Sequence, residues 1–203
     1  MLSILLIFSY NYYCTFTLKH YLKETYETTS RIASISHAII TPLLSLMYIY
    51  NLIDFSIYQY SVWYNIIYIS TDIYLFLTKR ISTPNVYVFI LHHIIFIIAS
   101  FVSPIIPVYY ARGILSEIST IFLNLLWFSK HNKINFTNEK IYKFLLWINF
   151  LIFRIINLNR ILYELYNSNY YQFSILLIPF IVLNNVWFYL LTKKIIIKYL
   201  NNK

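Results

Sequence analysis

The 203-residue chain contains one glycine, one cysteine and five prolines. Tight turns lean on glycine for their positive-φ positions, so a turn-rich β protein is excluded. A single cysteine, Cys14, permits no disulfide within the chain and reads as a small apolar residue at a helix end. There are 7 acidic residues, charged residues make up 11% of the sequence, and no stretch is both polar and long enough for a soluble domain. What remains is apolar: 60% hydrophobic, with a mean hydropathy of +0.62. The composition is that of one integral membrane domain. The 22 tyrosines and 16 phenylalanines exceed what an interfacial aromatic belt requires. Their joint excess with Ile, Asn and Lys resembles the output of an A+T-rich genome, so single tyrosines are assigned no role.

Seven apolar runs can be drawn, at 2–18, 33–53, 61–77, 86–106, 113–129, 142–161 and 172–192. Each approaches the roughly 20 residues a membrane helix needs, and all are far longer than the roughly 10-residue alternating strands of a membrane barrel. The expected fold is all-α: a polytopic transmembrane helical bundle of about seven spans. Pro42, Pro104 and Pro179 lie within or near runs and are expected to kink them. The first run has no positive leader and no small-residue cleavage site, so it reads as a retained helix rather than a signal peptide.

The net charge of +9 would point to nucleic acid on a soluble chain. Here the basic residues fall between runs, and the positive-inside rule accounts for them. Seven spans put Lys19, Lys23 and Arg31, then Lys79 and Arg80, then Lys130, Lys133, Lys140 and Lys143, then Lys193, Lys194, Lys198 and Lys203 on one side. That is thirteen of the 16 basic residues. The opposite side holds Arg112 and Arg160, and Arg154 is intramembrane. The expected orientation is an outside or lumenal N-terminus and a cytosolic C-terminus. Asn135-Phe136-Thr137 matches a glycosylation acceptor, but this orientation leaves it cytosolic and unmodified. A glycosidase-sensitive mobility shift traced to Asn135 would overturn the orientation.

Ionisable groups cost roughly 2.5–3.5 kcal/mol each at a bilayer centre, so those inside runs should face the protein interior. His37, Asp72 and the adjacent His92 and His93 fall at matching depth in the cytosolic half. Asn124, Asn149 and the pair Asn184–Asn185 are expected in the same layer, as the lining of a polar cavity. Neighbouring histidines point about 100° apart on a helix, so at most one of the pair faces the cavity squarely. Glu117 and Arg154 form a second, lumenal layer as an expected structural ion pair. Buried Asn and His also serve simply as interhelical glue, typically worth under 2 kcal/mol each. No spacing motif marks a metal site, and five histidines are too few for a di-iron centre. His20 and His131 fall in connections.

These residues also carry a resemblance. Arg31-Ile-Ala-Ser34-Ile-Ser-His37-Ala38 is similar to the opening of the TLC domain, the homology region shared by ceramide synthases and translocating-chain-associated membrane proteins. Asp72, His92–His93, and Arg112-Gly-Ile-Leu-Ser-Glu117-Ile-Ser119-Thr120-Ile-Phe122-Leu-Asn124 followed by Trp127 continue it. The likeness runs from about Thr29 to Lys194 and is to the smaller TLC-domain proteins. The helix after the histidine pair reads Leu115-Ser116-Glu117-Ile118-Ser119-Thr120, without the histidine and aspartates that the synthases carry there.

The resemblance implies a six-span TLC core over 29–194, preceded by an N-terminal helix and basic loop at 1–28 and followed by a basic cytosolic tail at 195–203. It implies an endomembrane such as the endoplasmic reticulum, and lipid as the thing handled, a sphingolipid or a fatty acyl chain. The leading expectation is a protein that binds, senses or moves a lipid in a cytosol-facing cavity, with His37, Asn124, Asn149 and Asn184 lining it. The alternative is an acyl-CoA-dependent N-acyltransferase, with His92 or His93 as general base oriented by Asp72. Acyl-CoA would then be a substrate, and no cofactor is expected in either case. A seven-span receptor or channel is the third class; its external loops are tiny and no ring of like charge marks a pore.

Overall fold

The computed structural model describes residues 25–81, 85–131 and 139–200, with side chains to 197. The first run, with Cys14, Lys19, His20 and Lys23, lies outside the described residues, as do Lys133 and Asn135. The described residues are all-helical. In order they form α1 (Tyr26–Ile49), α2 (Phe55–Leu77), α3 (Val86–Val102), α4 (Pro107–Ile114), a 3₁₀ turn (Leu115–Glu117) and α5 (Ile118–Lys130). Then come α6 (Glu139–Asn149), a π-helical segment (Phe150–Ile156), α7 (Asn157–Tyr166), a 3₁₀ turn (Tyr171–Phe173) and α8 (Ser174–Leu200). The chain divides into two compact units, 1–115 and 116–203.

Local chemistry sets the helix limits, and several differ from the apolar runs. α1 starts seven residues before its run because Thr25 caps it: the Thr25 hydroxyl accepts the N–H of Thr28 at 3.2 Å. Glu27 in the first turn pairs with Arg31 at 3.5 Å. The scarcity of glycine shows at the helix ends. α1 and α2 both finish in paired backbone bonds closed by a left-handed residue, normally a glycine position. Asn51 takes it after α1 (φ 56°) and Lys79 after α2 (φ 55°). The bonds are Leu52 N–H to Met47 O at 2.8 Å and Arg80 N–H to Leu75 O at 3.0 Å. The run 86–106 is cut at Val102, just before Pro104, and the chain re-enters a helix with Pro107 in its first turn. Arg112, expected in an external connection, therefore sits in the last turn of α4.

Three helical stretches are long and apolar enough to cross a membrane: Tyr26–Ile49, Glu139–Tyr166 and Tyr171–Ile197. Val86–Val102 is apolar but shorter. α2 has 23 residues, but Gln59, Asn65, Asp72 and five tyrosines lower its hydropathy.

In the first unit α1 packs on α2 and α4, and α2 packs on α3. From Ser30 on, the buried face of α1 reads Ser30, Ala33, Ser34, His37, Ala38, Thr41, Pro42, Ser45, small apart from His37 and Pro42. Small residues let helix backbones approach closely, as at interfaces inside membranes. In the second unit α5 packs on α6, and α8 packs on α7 and the π segment. The Trp147 indole N–H donates to Thr192 Oγ1 at 2.9 Å, tying α6 to α8.

Candidate functional site

Within the first unit, three side-chain pairs cross the α1–α2 seam. Ser30 Oγ donates to Asp72 Oδ1 at 3.1 Å, His37 Nε2 meets Asn65 Oδ1 at 2.7 Å, and Ser45 Oγ meets the Tyr58 hydroxyl at 3.1 Å. Along α1 the rungs advance by seven and then eight residues, while along α2 they retreat by seven each time. That is the spacing of two antiparallel helices whose facing positions recur every two turns. The rungs fix the register of the two helices and place Asp72 at one end of the seam.

The middle rung extends to two more helices. Asn65 Nδ2 donates to Ser100 Oγ of α3 at 3.3 Å and to the Tyr110 hydroxyl of α4 at 2.9 Å. With the Ser100 hydroxyl donating to the Phe96 carbonyl, the other directions in this cluster follow. Ser100 has one hydroxyl proton and gives it to the Phe96 carbonyl at 2.9 Å. Its oxygen therefore accepts from Tyr110, 2.7 Å away. Both hydroxyl protons are then committed, so Asn65 faces them with its amino group and turns its oxygen to His37. His37 must donate, which assigns its proton to Nε2. The ring is 1% exposed and stacks on Tyr68 with centroids 4.1 Å apart. His37, expected against lipid, thus spends its Nε2 on a bond within the protein.

At the end of the seam His93 Nε2 lies 3.7 Å from Asp72 Oδ2. Asp72 therefore holds Ser30 with one oxygen and faces His93 with the other. Both side chains are nearly buried, and His93 Nδ1 is enclosed with no hydrogen-bond partner among the described residues. His92 is buried too, but its ring turns edge-on to Phe96 at 5.7 Å. The two adjacent rings point apart on the helix: His93 faces the carboxylate, and the His92 ring lies against Phe96.

The second unit is organised around Arg154, which belongs to the π-helical segment. Such segments are rare and frequent at functional sites. Its Nε donates to the Ser116 carbonyl at 3.1 Å and to Ser119 Oγ at 2.7 Å. Nη1 donates to Asn184 Oδ1 at 3.2 Å, and Nη2 to Thr120 Oγ1 at 3.0 Å. Nη2 is also 3.6 Å from Glu117 Oε1. Each neighbour is turned to accept, because its own protons go elsewhere. Ser119 gives its proton to Ser116 O, Thr120 to Glu117 Oε2, and Asn184 its amino group to Phe180 O. The 3₁₀ turn at Leu115–Glu117 separates α4 from α5, and the Ser116 carbonyl within it is directed at the guanidinium. The Phe150 ring covers the cation at 5.1 Å.

Asn184 corrects the expected layering. Counted from the end of its apolar run it shared a depth with Asn124 and Asn149, apart from Glu117 and Arg154. α8 runs on to Leu200, so Asn184 lies in its first half and joins the Arg154 cluster. Asn124 Nδ2 donates to the Thr120 carbonyl at 3.0 Å and Asn149 Nδ2 to the Leu145 carbonyl at 2.8 Å, each one turn back on its own helix. Sequence reasoning missed Asn65, Ser100, Tyr110, Ser116, Ser119 and Thr120. Only Asn65 carried a signal, as a second strongly polar residue seven before Asp72 in the same run. Among the described residues no group of three or more His, Cys, Asp or Glu is placed to hold a metal.

The described residues are all-helical, and three of the helices are long and apolar enough to cross a membrane, consistent with an integral membrane protein. Comparison with family models, with curated proteins and with solved structures gives no match.

Proposed function

We propose that this is a multi-pass TLC-domain-type membrane protein that binds and handles a lipid. The lipid's polar end sits against Asp72 and His93 in a cavity open to the cytosol. The reading rests on one observation: a carboxylate and an imidazole from neighbouring helices, nearly buried, face each other at 3.7 Å. Burying an ionisable pair among apolar helices is costly, and such pairs mark functional sites. The Ser30 bond supports it by orienting the carboxylate, which in turn orients the ring and its tautomer. The basic asymmetry supports seven spans with a lumenal N-terminus and a cytosolic C-terminus, and the family resemblance supports an endoplasmic reticulum location. A second reading, an acyl-CoA-dependent N-acyltransferase, draws on the same contact: an imidazole held by a carboxylate is equipped to take a proton from an amine.

The test is lipid mass spectrometry on protein purified in native nanodiscs, with acyl-CoA consumption assayed in parallel. Wild-type protein should carry an enriched lipid. The His92→Ala, His93→Ala double variant should lose it by at least about tenfold while remaining inserted and abundant, since one lost charge-assisted contact is worth about 1.5–3 kcal/mol. Acyl-CoA consumption that depends on His93 would select the acyltransferase reading. A double variant that keeps its lipid reduces both histidines to packing residues.

A further inference from the structure

α8 shows what no bond within its own unit accounts for. It is the most outward-facing of the three long apolar helices, with 17% of its apolar window buried. One exposed stripe along it reads Ile175, Ile178, Val182, Asn185, Tyr189, at intervals of three, four, three and four residues. That spacing puts the five side chains on one line, the seam position of a left-handed helix pair. Four are apolar or aromatic, and Asn185 lies near the middle of the apolar stretch. Its neighbour Asn184 turns inward to Arg154, and a step of about 100° carries Asn185 to the outer face. Asn185 is exposed, and among the described residues its one side-chain bond runs from Nδ2 to the Ile181 carbonyl one turn back, at 2.9 Å. Among the described residues nothing meets its other N–H or its amide oxygen, which face outward from an apolar helix where hydrocarbon offers neither donor nor acceptor.

We propose that this stripe is a homotypic interface: α8 pairs with α8 of a second copy of the chain, and Asn185 bonds Asn185 across a twofold axis. An amide that retains one donor and one acceptor is complementary to itself, and a twofold interface requires self-complementarity. A lone Asn in an apolar heptad seam sets both register and copy number. The β-branched residues Ile175, Ile178 and Val182 present stiff side chains that pack without losing rotamer freedom. A lipid chain would satisfy the apolar positions and leave the amide bare; a second copy satisfies both.

The experiment uses full-length protein, labelled and reconstituted at high dilution in vesicles, with copy number counted by single-molecule photobleaching. Wild-type protein should count as two. Asn185→Leu should lower the dimer fraction about tenfold, since an interhelical polar contact in a membrane is worth that order in association. Asn185→Gln, which keeps the amide, should retain most of it. In a Cys14→Ser background, Val182→Cys should cross-link copies through a short bis-maleimide, and Leu190→Cys, exposed but off the stripe, should not. Wild-type protein that counts as one overturns the proposal without recourse to any variant. So does an Asn185→Leu protein that dimerises like wild type, or equal cross-linking at 182 and 190.

Discussion

Glu117→Gln should sharply reduce the amount of folded protein, and adding Arg154→Gln should restore part of it. Arg154 is enclosed, with its side chain 7% exposed, and Glu117 supplies the only formal negative charge found in contact with it among the described residues. Removing that charge leaves a buried guanidinium facing neutral acceptors, and breaking a buried pair from one side typically costs ~3–5 kcal/mol. Four further acceptors surround the cation, so the loss should fall toward the lower end of that range. In the double variant no charge remains, and two amides can bond each other and the Ser119 and Thr120 hydroxyls. The readouts are monodisperse yield by fluorescence-detected size exclusion and the thermal midpoint in detergent. A single variant as abundant as wild type, or a double variant worse than either single, would show that the two residues do not act as a pair.

Asn65→Ala should be the most damaging change in the first unit, and Tyr110→Phe markedly milder. Asn65 is 0% exposed, and its side chain bonds to α1, α3 and α4 at once. Its loss strands the His37 N–H, at about 1–3 kcal/mol for a buried donor without a partner, and opens a cavity as well. Tyr110→Phe removes one hydroxyl, but Asn65 keeps Ser100 and His37, so about 1 kcal/mol is expected. Thermal midpoints of the two variants, side by side, check the order. Equal losses would mean that the cluster has no hub and that the assigned direction of its bonds is wrong. A further consequence reaches the proposed site: the Asn65–His37 rung holds the register that brings Ser30 to Asp72. Asn65→Ala should therefore also weaken lipid retention, although Asn65 itself lies two turns away along α2.

Much of the fold and part of the site were legible from residue type and position. One glycine and long apolar runs point to helices, and among the described residues the helices are there. Asp72 with the histidine pair, and Glu117 with Arg154, stood out because an ionisable group inside an apolar run is costly unless another side chain meets it; in the structure each pair is in contact. Depth counting failed for Asn184, because an apolar run ends where lysines begin whereas backbone hydrogen bonding carries α8 on to Leu200. It also failed at α4, where Pro104 and Pro107 moved the break between helices ahead of Arg112. The hydroxyls of Ser100 and Tyr110 gave no signal, and Ser119 and Thr120 entered only through the family resemblance, with no role assigned. Ser, Thr and Tyr are common in this chain, and a hydroxyl acquires a role only from what faces it.

The sequence by itself determined helix as the secondary structure, the membrane as the solvent, and which few side chains must be satisfied inside the protein. Those follow from composition and from the cost of burying a charge, which need no coordinates. The tertiary structure alone decided who satisfies whom. It brought His93 to Asp72, gave His37 to Asn65, and sent Asn184 inward while leaving Asn185 outside. The reason is physical: adjacent positions on a helix differ by about 100°, and only the packing of neighbouring helices decides which of the two faces inward.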